Sequence, residues 1–186
     1  TNRAGLEIDV LVNNAGFGTS GDVADENPER LEQEVRLNCL TLTGLTARYL
    51  PAMRKRKNGT IINIASTAAF QPLPHMAVYG ATKAFVLSFT EALWSETRKD
   101  GIRVLAVCPG STDTPFFEHS GEGVVVGKLR STRQLLDNTM RALKTTKPSF
   151  VDGVGNAIVA RFVTRVVPKR FVMTIVDRAL QHRSSQ

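Results

Sequence analysis

Tyr79 and Lys83, four residues apart, close the segment 66–83, which reads S-T-A-A-F-Q-P-L-P-H-M-A-V-Y-G-A-T-K. In a helix that begins near Met76, the two side chains share one face and lie roughly one turn apart. An isolated phenol titrates at about 10, and an adjacent ammonium favours the phenolate and lowers that pKa. The pair therefore predicts a proton-transfer site, although the same spacing also fits a solvated lysine beside a half-buried tyrosine.

Ser66 lies thirteen residues before Tyr79 and directly follows the apolar run T-I-I-N-I-A at 60–65. Such a run predicts a buried strand, and a serine at its carboxyl end can direct its hydroxyl to the same point as the tyrosine. Three further motifs accompany this segment: V-N-N-A-G at 12–16, Asn38 within R-L-N-C-L-T-L-T-G, and P-G-S-T-D-T at 109–114.

In this order, the four motifs resemble those of the classical short-chain dehydrogenases/reductases. The resemblance covers residues 7–114 firmly and the remainder loosely. It implies an NAD(P)-dependent oxidoreductase that transfers a hydride between nicotinamide and the carbonyl or alcohol carbon of a small-molecule substrate. The alternative is a non-catalytic dinucleotide-binding or interaction module with the same fold. The family's catalytic set is complete here, which counts against that alternative: Asn38, Ser66, Tyr79 and Lys83.

The resemblance implies a role for each of these four residues. Tyr79 donates or accepts the hydroxyl proton, and Lys83 lowers its pKa and holds the nicotinamide ribose. Ser66 binds the substrate oxygen and stabilises charge there. Asn38 takes the position of an asparagine that distorts its helix and holds a proton-relay water. Without the resemblance, a helix asparagine bonded to a neighbouring carbonyl is the simpler interpretation of Asn38.

The resemblance also implies a binding site for NAD or NADP. Backbone groups after the first strand line its adenosine side, and the loop after the third strand holds the carboxamide end. The residues carried over by position are Asn14, Ala15, Gly16, Tyr79, Lys83, Pro109, Gly110, Thr112 and Thr114. Thr112 replaces an aliphatic residue that is usual in the family, a change that a backbone contact tolerates.

Residues 16–21, G-F-G-T-S-G, match the G-x-G-x-x-G pattern of dinucleotide-binding loops, but their context differs. That pattern requires the third glycine to open a helix whose N-terminus holds the pyrophosphate. Here an acidic stretch follows the glycines, and the first helix start is at Pro28. We therefore interpret 16–21 as a flexible loop beside the substrate.

Apolar runs at 9–14, 60–65 and 102–108 alternate with helical patterns, and 148–151 suggests a fourth strand. This alternation predicts an α/β fold with a parallel sheet, here a Rossmann-like doubly wound sheet equivalent to strands four to seven of the family. The family's earlier strands and glycine-rich pyrophosphate turn have no counterpart in the sequence. We therefore expect an incomplete fold, a fragment of a larger enzyme whose activity by itself is open, with strand 9–14 as an exposed apolar edge.

The net charge of +7 is unevenly distributed, since residues 128–186 hold 12 Lys and Arg against 3 Asp and Glu. Apolar residues recur at helical spacing on both sides of Pro168, which predicts a hairpin of two basic amphipathic helices over 152–186, after a catalytic domain over 1–151. Such helices suit an anionic membrane surface. They can equally pack on the domain as a lid or a dimer face. The basic region lacks interleaved aromatic residues, so we expect no nucleic-acid partner.

The remaining features narrow the class of protein. No apolar run is long enough for a transmembrane helix, and the widely separated Cys39 and Cys108 favour a reducing compartment. The three histidines lack metal-binding spacing, so we expect no metal. We expect a cytoplasmic protein, with membrane association as the alternative, and a lipophilic substrate. The resemblance further implies a homo-oligomer formed through helix 77–99. Residues 115–130 suit a mobile lid or a disordered surface loop.

Overall fold

The computed structural model describes residues 7–114, 129–163 and 166–181. Its centre is a four-stranded sheet in which neighbouring strands run parallel, in the order β1-β2-β3-β4. The strands are β1 (Val10–Asn13), β2 (Gly59–Ile64), β3 (Ile102–Cys108) and β4 (Ser149–Val151). The predicted parallel sheet is confirmed, and the predicted strand ends differ from these by at most one residue.

Helices connect the strands and cover both faces of the sheet. They are α1 (Pro28–Val35), α2 (Leu42–Arg56), α3 (Ala77–Thr97), α4 (Thr132–Leu143), α5 (Val154–Ile158) and α6 (Lys169–Gln181). A π-helical segment, Arg36–Thr41, joins α1 to α2, and a second one, Val159–Val163, extends α5. A 3₁₀ turn covers Thr67–Phe70. Pro168 immediately precedes α6, so the predicted break between the last two helical stretches is confirmed.

Local sequence signals set several helix ends. The Asn27 side chain accepts hydrogen bonds from the first-turn amides of α1, with Pro28 at the first helical position. Lys57 ends α2 in the left-handed conformation, at φ 53°. Ser131 and Gln134 form a reciprocal capping box at the start of α4.

The core is organised around β3, whose residues 104–108 are completely buried. Because successive side chains of a strand point to opposite faces, β3 serves both helix layers. Ala106 packs in a cluster with Val86 of α3, and Leu105 packs in a cluster with Ala142 of α4. The loop after residue 108 therefore starts from a fully buried strand end, which fixes its position relative to the sheet.

A chain of buried polar side chains ties the sheet to α3. The Asn13 Nδ2 atom donates to Asn63 Oδ1 (2.8 Å), and Asn63 Nδ2 donates to the Thr90 hydroxyl (2.9 Å). Asn13, the first asparagine of the V-N-N-A-G motif, therefore links β1 to β2. Through Asn63 it also links β1 to the helix that carries Tyr79 and Lys83. Buried hydrogen bonds of this kind fix relative positions because breaking them leaves polar groups unpaired.

β1 lies at one edge of this sheet, with Val10 and Val12 more than half exposed. The predicted exposed apolar edge is therefore present in the described chain. The division at residue 151 coincides with the end of β4, but its status as a domain boundary stays a prediction. Most of the predicted mobile segment 115–130 lies outside the described residues. Within the described ranges, every helix is too short or too polar to cross a membrane.

Candidate active site

A cavity of about 620 Å³ opens where β1, β2 and β3 end. The carboxyl ends of parallel strands meet at one edge of the sheet, which is where ligands bind in open α/β folds. Most of the predicted site residues line this cavity: Asn14, Gly16, Ser66, Tyr79, Lys83, Pro109, Gly110, Thr112 and Thr114. Ala15 is exposed and does not line the cavity, and Asn38 is buried.

Ser66 and Tyr79 are brought together as predicted. Ser66 follows β2 and caps the 3₁₀ turn, with its Oγ accepting from Ala68 N (3.1 Å). Burial raises the pKa of the Tyr79 phenol from 10.0 to about 12, while a hydrogen bond with Ser66 acts in the opposite direction by favouring the phenolate. Tyr79 is therefore a protonated hydrogen-bond donor at neutral pH.

Lys83 lies one turn along α3, with its Nζ 5.7 Å from the centre of the Tyr79 ring. The Nζ atom donates to the Ile64 carbonyl oxygen (2.9 Å), at the end of β2. Burial lowers the pKa of Lys83 from 10.5 to about 8, although neighbouring Cys39, Cys108 and Glu34 act in the other direction. Tyr79 and Lys83 therefore share one face of α3, as their spacing in the sequence predicts.

The expectation that Lys83 lowers the pKa of Tyr79 is wrong for this arrangement. Desolvation of the phenol outweighs the hydrogen bond that favours the phenolate, so the pKa of Tyr79 rises. Sequence spacing identifies a neighbouring cation but carries no measure of desolvation, which is the largest influence here.

Asn38 lies in the π-helical segment between α1 and α2, so the predicted helix distortion is present. Its Nδ2 donates to the Phe17 carbonyl (2.8 Å) and to the Thr82 hydroxyl (3.0 Å), and its Oδ1 accepts from Phe17 N (3.2 Å). The side chain thereby ties the loop after β1 to α3, beside Lys83. Asn38 thus braces α3 against the loop after β1, with its Nδ2 reaching both segments and its Oδ1 bound to the loop.

The stretch G-F-G-T-S-G lies against Asn38 and Tyr79, and no helix begins between residue 21 and Pro28. A Cβ at Gly16 would meet Asn38 Oδ1 at 2.7 Å, and a Cβ at Gly18 would meet the Tyr79 ring at 2.9 Å. These glycines therefore permit a close approach of the backbone to the predicted site residues. The interpretation of this stretch as a loop beside the site, rather than a pyrophosphate loop, fits its position.

The residues present fit a nicotinamide cofactor. The cavity volume falls within the range of about 300–1,000 Å³ that small-molecule sites occupy. Gly16 and Gly110 line it without side chains, and Tyr79 and Lys83 offer hydrogen-bond donors along its wall. Among the described residues, no group of three or more His, Cys, Asp or Glu is placed to hold a metal ion.

Comparisons with known proteins agree with this geometry. The model of the family described as short chain dehydrogenase matches residues 3–124. The chain belongs to the short-chain dehydrogenase family. An uncharacterized oxidoreductase of Staphylococcus epidermidis is 34% identical over 145 residues, which are 78% of this chain and 61% of that protein. The chain thus spans about 61% of that relative's length.

Two solved structures are similar in fold. A short-chain dehydrogenase from Sphingobium yanoikuyae in complex with NADPH has a TM-score of 0.76 and 30% identity, covering 96% of this chain and 65% of that one. The 3-ketoacyl-(acyl-carrier-protein) reductase of Brucella melitensis, complexed with NADH, has a TM-score of 0.71 and 28% identity, covering 82% and 68%. The Rossmann-like fold is therefore confirmed.

The loop 109–114, predicted from its P-G-x-x-x-T pattern, is supported by residues that the sequence did not indicate. Asp113 N donates to the Arg130 carbonyl (2.9 Å), and Arg130 N donates to the Ser111 carbonyl (3.0 Å). The Arg130 guanidinium pairs with Asp152, which is fully buried at the end of β4 and also accepts from Asn138 Nδ2 (2.9 Å). This ion pair joins residues 22 apart in sequence, and no local sequence pattern indicates it.

Glu34 was also missed by sequence reasoning. It lies on α1, one turn before Asn38, and its side chain is completely buried. Burial raises the pKa of Glu34 above 4.5, while Thr19 and the charges of Arg30 and Lys83 act against that rise. Neither carboxylate oxygen reaches a described donor with normal hydrogen-bond geometry, although Thr19 is close enough to influence the charge. Such a group ordinarily belongs on the helix surface.

The outer wall of the cavity comes from two regions. The loop 67–76 contributes Thr67, Ala68, Gln71, Leu73 and Met76. The C-terminal third contributes Asn156, Val159, Ala160, Ile175 and Val176, and α4 adds Leu135. The apolar periodicity predicted these helices, but the direction of each apolar face depends on tertiary packing.

Proposed function

We propose that this chain forms the catalytic part of an NAD(P)-dependent oxidoreductase that reduces a carbonyl group of a small, lipophilic substrate. The observation that carries the proposal is the convergence of Ser66, Tyr79 and Lys83 on one cavity, with the backbone of Gly18 packed closely against the Tyr79 ring. Family membership supports the reaction class. Because the chain spans about 61% of a relative's length, the activity is proposed for the complete protein.

The proton chemistry follows from the state of the two ionisable groups. With a pKa of about 12, Tyr79 carries its proton at neutral pH and can donate it to the oxygen of a carbonyl as that oxygen gains charge. Ser66 offers a second hydroxyl to the same oxygen. Lys83, with a pKa of about 8, remains mostly cationic at pH 7 and stabilises negative charge nearby. This state favours the reductive direction.

NAD or NADP would supply or accept the hydride. Two solved proteins similar in fold were crystallised with NADPH and NADH, which supports this pair of cofactors. The residues that would hold the nicotinamide half are Tyr79, Lys83 and the loop 109–114, with Asn14 and Gly16 on the adenosine side. We retain Asn38 as the support of the proton relay. We retain Ala15 only as a backbone contact, since it does not line the cavity.

A lipophilic substrate is proposed because the outer wall of the cavity is largely aliphatic, with Leu73, Val159, Ile175 and Val176 among its residues. The Brucella melitensis reductase is named for a 3-ketoacyl group, in which a ketone is joined to an acyl chain. Burial of apolar surface contributes roughly 25 cal/mol per Å², so such a wall favours an alkyl or ring substituent next to the carbonyl.

The proposal is tested by titrating the protein with NADH and NADPH while following cofactor fluorescence, and by then assaying a panel of ketones that differ in alkyl length. We expect saturable binding of at least one cofactor and reduction rates that rise with substrate apolarity. Saturable binding with no turnover on any carbonyl would favour a non-catalytic dinucleotide-binding module instead. Absence of binding in the complete protein would contradict the proposal.

We also propose that α3 forms a homo-oligomer interface. The exposed face of α3 carries small residues around Phe85, which is 42% exposed and stacked on Phe89, and two glutamates, Glu91 and Glu96, towards its C-terminal end. Small residues permit close helix approach, and an exposed aromatic residue favours burial in a partner. A Phe85→Glu variant should shift the mass measured by light scattering towards the monomer, and an unchanged mass would contradict this interface.

We also propose that the protein resides in the cytoplasm and contacts an anionic membrane. Phe162, Val166, Phe171 and Ile175 are more than half exposed, and the cations Lys169 and Arg170 accompany them. Apolar side chains flanked by cations suit an anionic lipid surface. Co-sedimentation with vesicles containing phosphatidylserine, but not with neutral vesicles, is the expected result, and equal recovery with both would contradict it.

A further inference from the structure

His75 lies where three segments around the cavity meet. Its Nδ1 is 2.7 Å from Asp22 Oδ1, in the loop between β1 and α1, and its Nε2 is 2.7 Å from Asp177 Oδ1, on α6. Its backbone carbonyl accepts from Gly21 N (2.8 Å). The imidazole therefore joins residues that are 53 and 102 positions away in the sequence.

The two carboxylates require a particular state of the ring. A neutral imidazole has one N–H donor, whereas the imidazolium has two. With a carboxylate 2.7 Å from each nitrogen, only the cation donates to both, and a neutral ring places a lone pair against one carboxylate. The hydrogen bond to Asp177 is the largest influence raising the pKa of His75 above 6.5. Asp22 adds to that rise and partial burial opposes it.

The backbone of His75 indicates that this arrangement is maintained by its contacts. Its φ is 57°, in the left-handed region that residues other than glycine seldom adopt. Such a conformation persists where surrounding interactions hold it. Here the interactions are the two carboxylates and the bond from Gly21.

The position of the ring connects it to the proposed substrate site. Ile175 and Val176, which precede Asp177 on α6, line the outer wall of the cavity. On the other side, Met76 follows His75 directly, lines the same cavity, and precedes the helix that carries Tyr79. His75 thus lies between the catalytic helix and the C-terminal helix.

We propose that His75, as an imidazolium, is a positioning residue that holds α6 against the cavity and so makes Ile175 and Val176 part of the substrate-binding surface. The charged groups facing the ring are Asp22 from the β1–α1 loop and Asp177 from α6. The substrate part of this inference rests on the proposed function. The attachment of α6 does not depend on it.

The direction of the pH dependence follows from the raised pKa. A group whose pKa is higher in the folded state contributes its full stabilisation below its unfolded value, here 6.5, and loses it as the pH rises through the folded value. The attachment of α6 should therefore be complete at pH 6 and weaken under alkaline conditions. Both carboxylates are themselves partly exposed, so salt should weaken it as well.

The first test needs no cofactor or substrate. The titration of the imidazole is followed by NMR, with the His75 signal assigned by a His75→Asn variant, and amide exchange over 169–181 is measured between pH 6 and pH 9 after correction for intrinsic rates. We expect a pKa above 6.5 and exchange over α6 that accelerates through that pKa. A His75 pKa at or below 6.5, or exchange that is independent of pH, would overturn the inference.

Two isosteric variants separate the partners. Asp177→Asn removes the carboxylate on α6 that faces the imidazole. It should lower the pKa of His75 and accelerate amide exchange over 169–181 at pH 6. Asp22→Asn is the matched control, since it removes the other carboxylate while leaving the α6 contact in place, and exchange over 169–181 should change less. Equal exchange in the wild type and in Asp177→Asn contradicts the proposal.

The second test examines substrate selection in the complete enzyme. Asp177→Asn should raise KM for an apolar ketone several-fold while kcat changes less than KM. A fall in kcat at constant KM would show that the histidine acts on the catalytic helix instead of the wall, which contradicts the positioning role. If no carbonyl is reduced at all, the proposed function fails, and the NMR and exchange results still decide whether His75 holds α6.

Discussion

The inner and outer walls of the cavity are built in different ways. The inner wall consists of strand ends and α3, where Lys83 is 6% exposed, and Asn38, 3% exposed in the π-helical segment, ties α3 into a hydrogen-bonded network. The outer wall includes α6, where Ile175 is 66% exposed although it also lines the cavity. Burial therefore fixes the side chains for which we propose the reaction chemistry, whereas the wall proposed to face the substrate can change without disturbing that network.

The largest effect should follow from removing the acid of the inner wall. Tyr79→Phe deletes the phenolic proton while keeping the ring that packs on Gly18. Since general acid–base catalysis contributes about 10²–10⁴-fold, we expect kcat for ketone reduction to fall by a factor in that range, with the cofactor still bound. Single-turnover kinetics and fluorescence titration measure the two quantities. Retained turnover would remove Tyr79 from its proposed role.

A smaller loss is expected from displacing the tyrosine without removing it. In Gly18→Ala the added Cβ would meet the Tyr79 ring at 2.9 Å, so the ring must shift. Misplacement of a catalytic group by about 1 Å can cost roughly 10²-fold in rate, and we expect a loss of about 10- to 100-fold in kcat.

Gly44→Ala is the matched control for that substitution. Gly44 lies within α2, and a Cβ there meets nothing within 4 Å. Alanine in a helix interior is favoured over glycine by about 1 kcal/mol, so the control should keep its activity and unfold at a slightly higher temperature. Equal activity of the two variants would show that close packing on Tyr79 is not required.

The buried carboxylate of Glu34, on α1, offers a test by pH. The raised pKa of Glu34 means that the fold loses stability as the pH rises from about 4.5 through the folded-state value. Glu34→Gln should therefore unfold at a higher temperature than the wild type at pH 7.5, by about 2–4 °C for each kcal/mol gained. The difference in unfolding temperature between Glu34→Gln and the wild type should narrow as the pH falls towards 4.5.

The same variant should also change the pH dependence of activity. The charge of Glu34 raises the pKa of Lys83, so its removal moves the alkaline fall in reduction rate from about pH 8 to a lower pH. Glu32→Gln, on the exposed side of α1, is the control that changes net charge equally. A pH–rate profile that is identical for both variants would separate Glu34 from the site.

The contrast between the walls also explains what could be predicted from the sequence. Tyr79, Lys83, Ser66 and the strand ends are specified by short motifs and local periodicity, and the structure brings them together. Asp152 with Arg130, and His75 with Asp177, depend on chain segments that meet only after folding. The pKa of Tyr79 was predicted in the wrong direction because a sequence shows neighbouring charge but not desolvation.

The smallest effect should come from trimming the outer wall. Val176 lines the cavity and is only partly buried, so Val176→Ala removes apolar surface without leaving a closed cavity. A fully buried methylene contributes about 0.8 kcal/mol. A half-exposed side chain contributes less, and we therefore expect KM for a long-chain ketone to rise only about 2- to 5-fold, with kcat and the KM of a short ketone nearly constant. A loss that is equal for long and short ketones would mean that α6 supports the catalytic helix, and the proposed division of labour between the two walls would then be wrong.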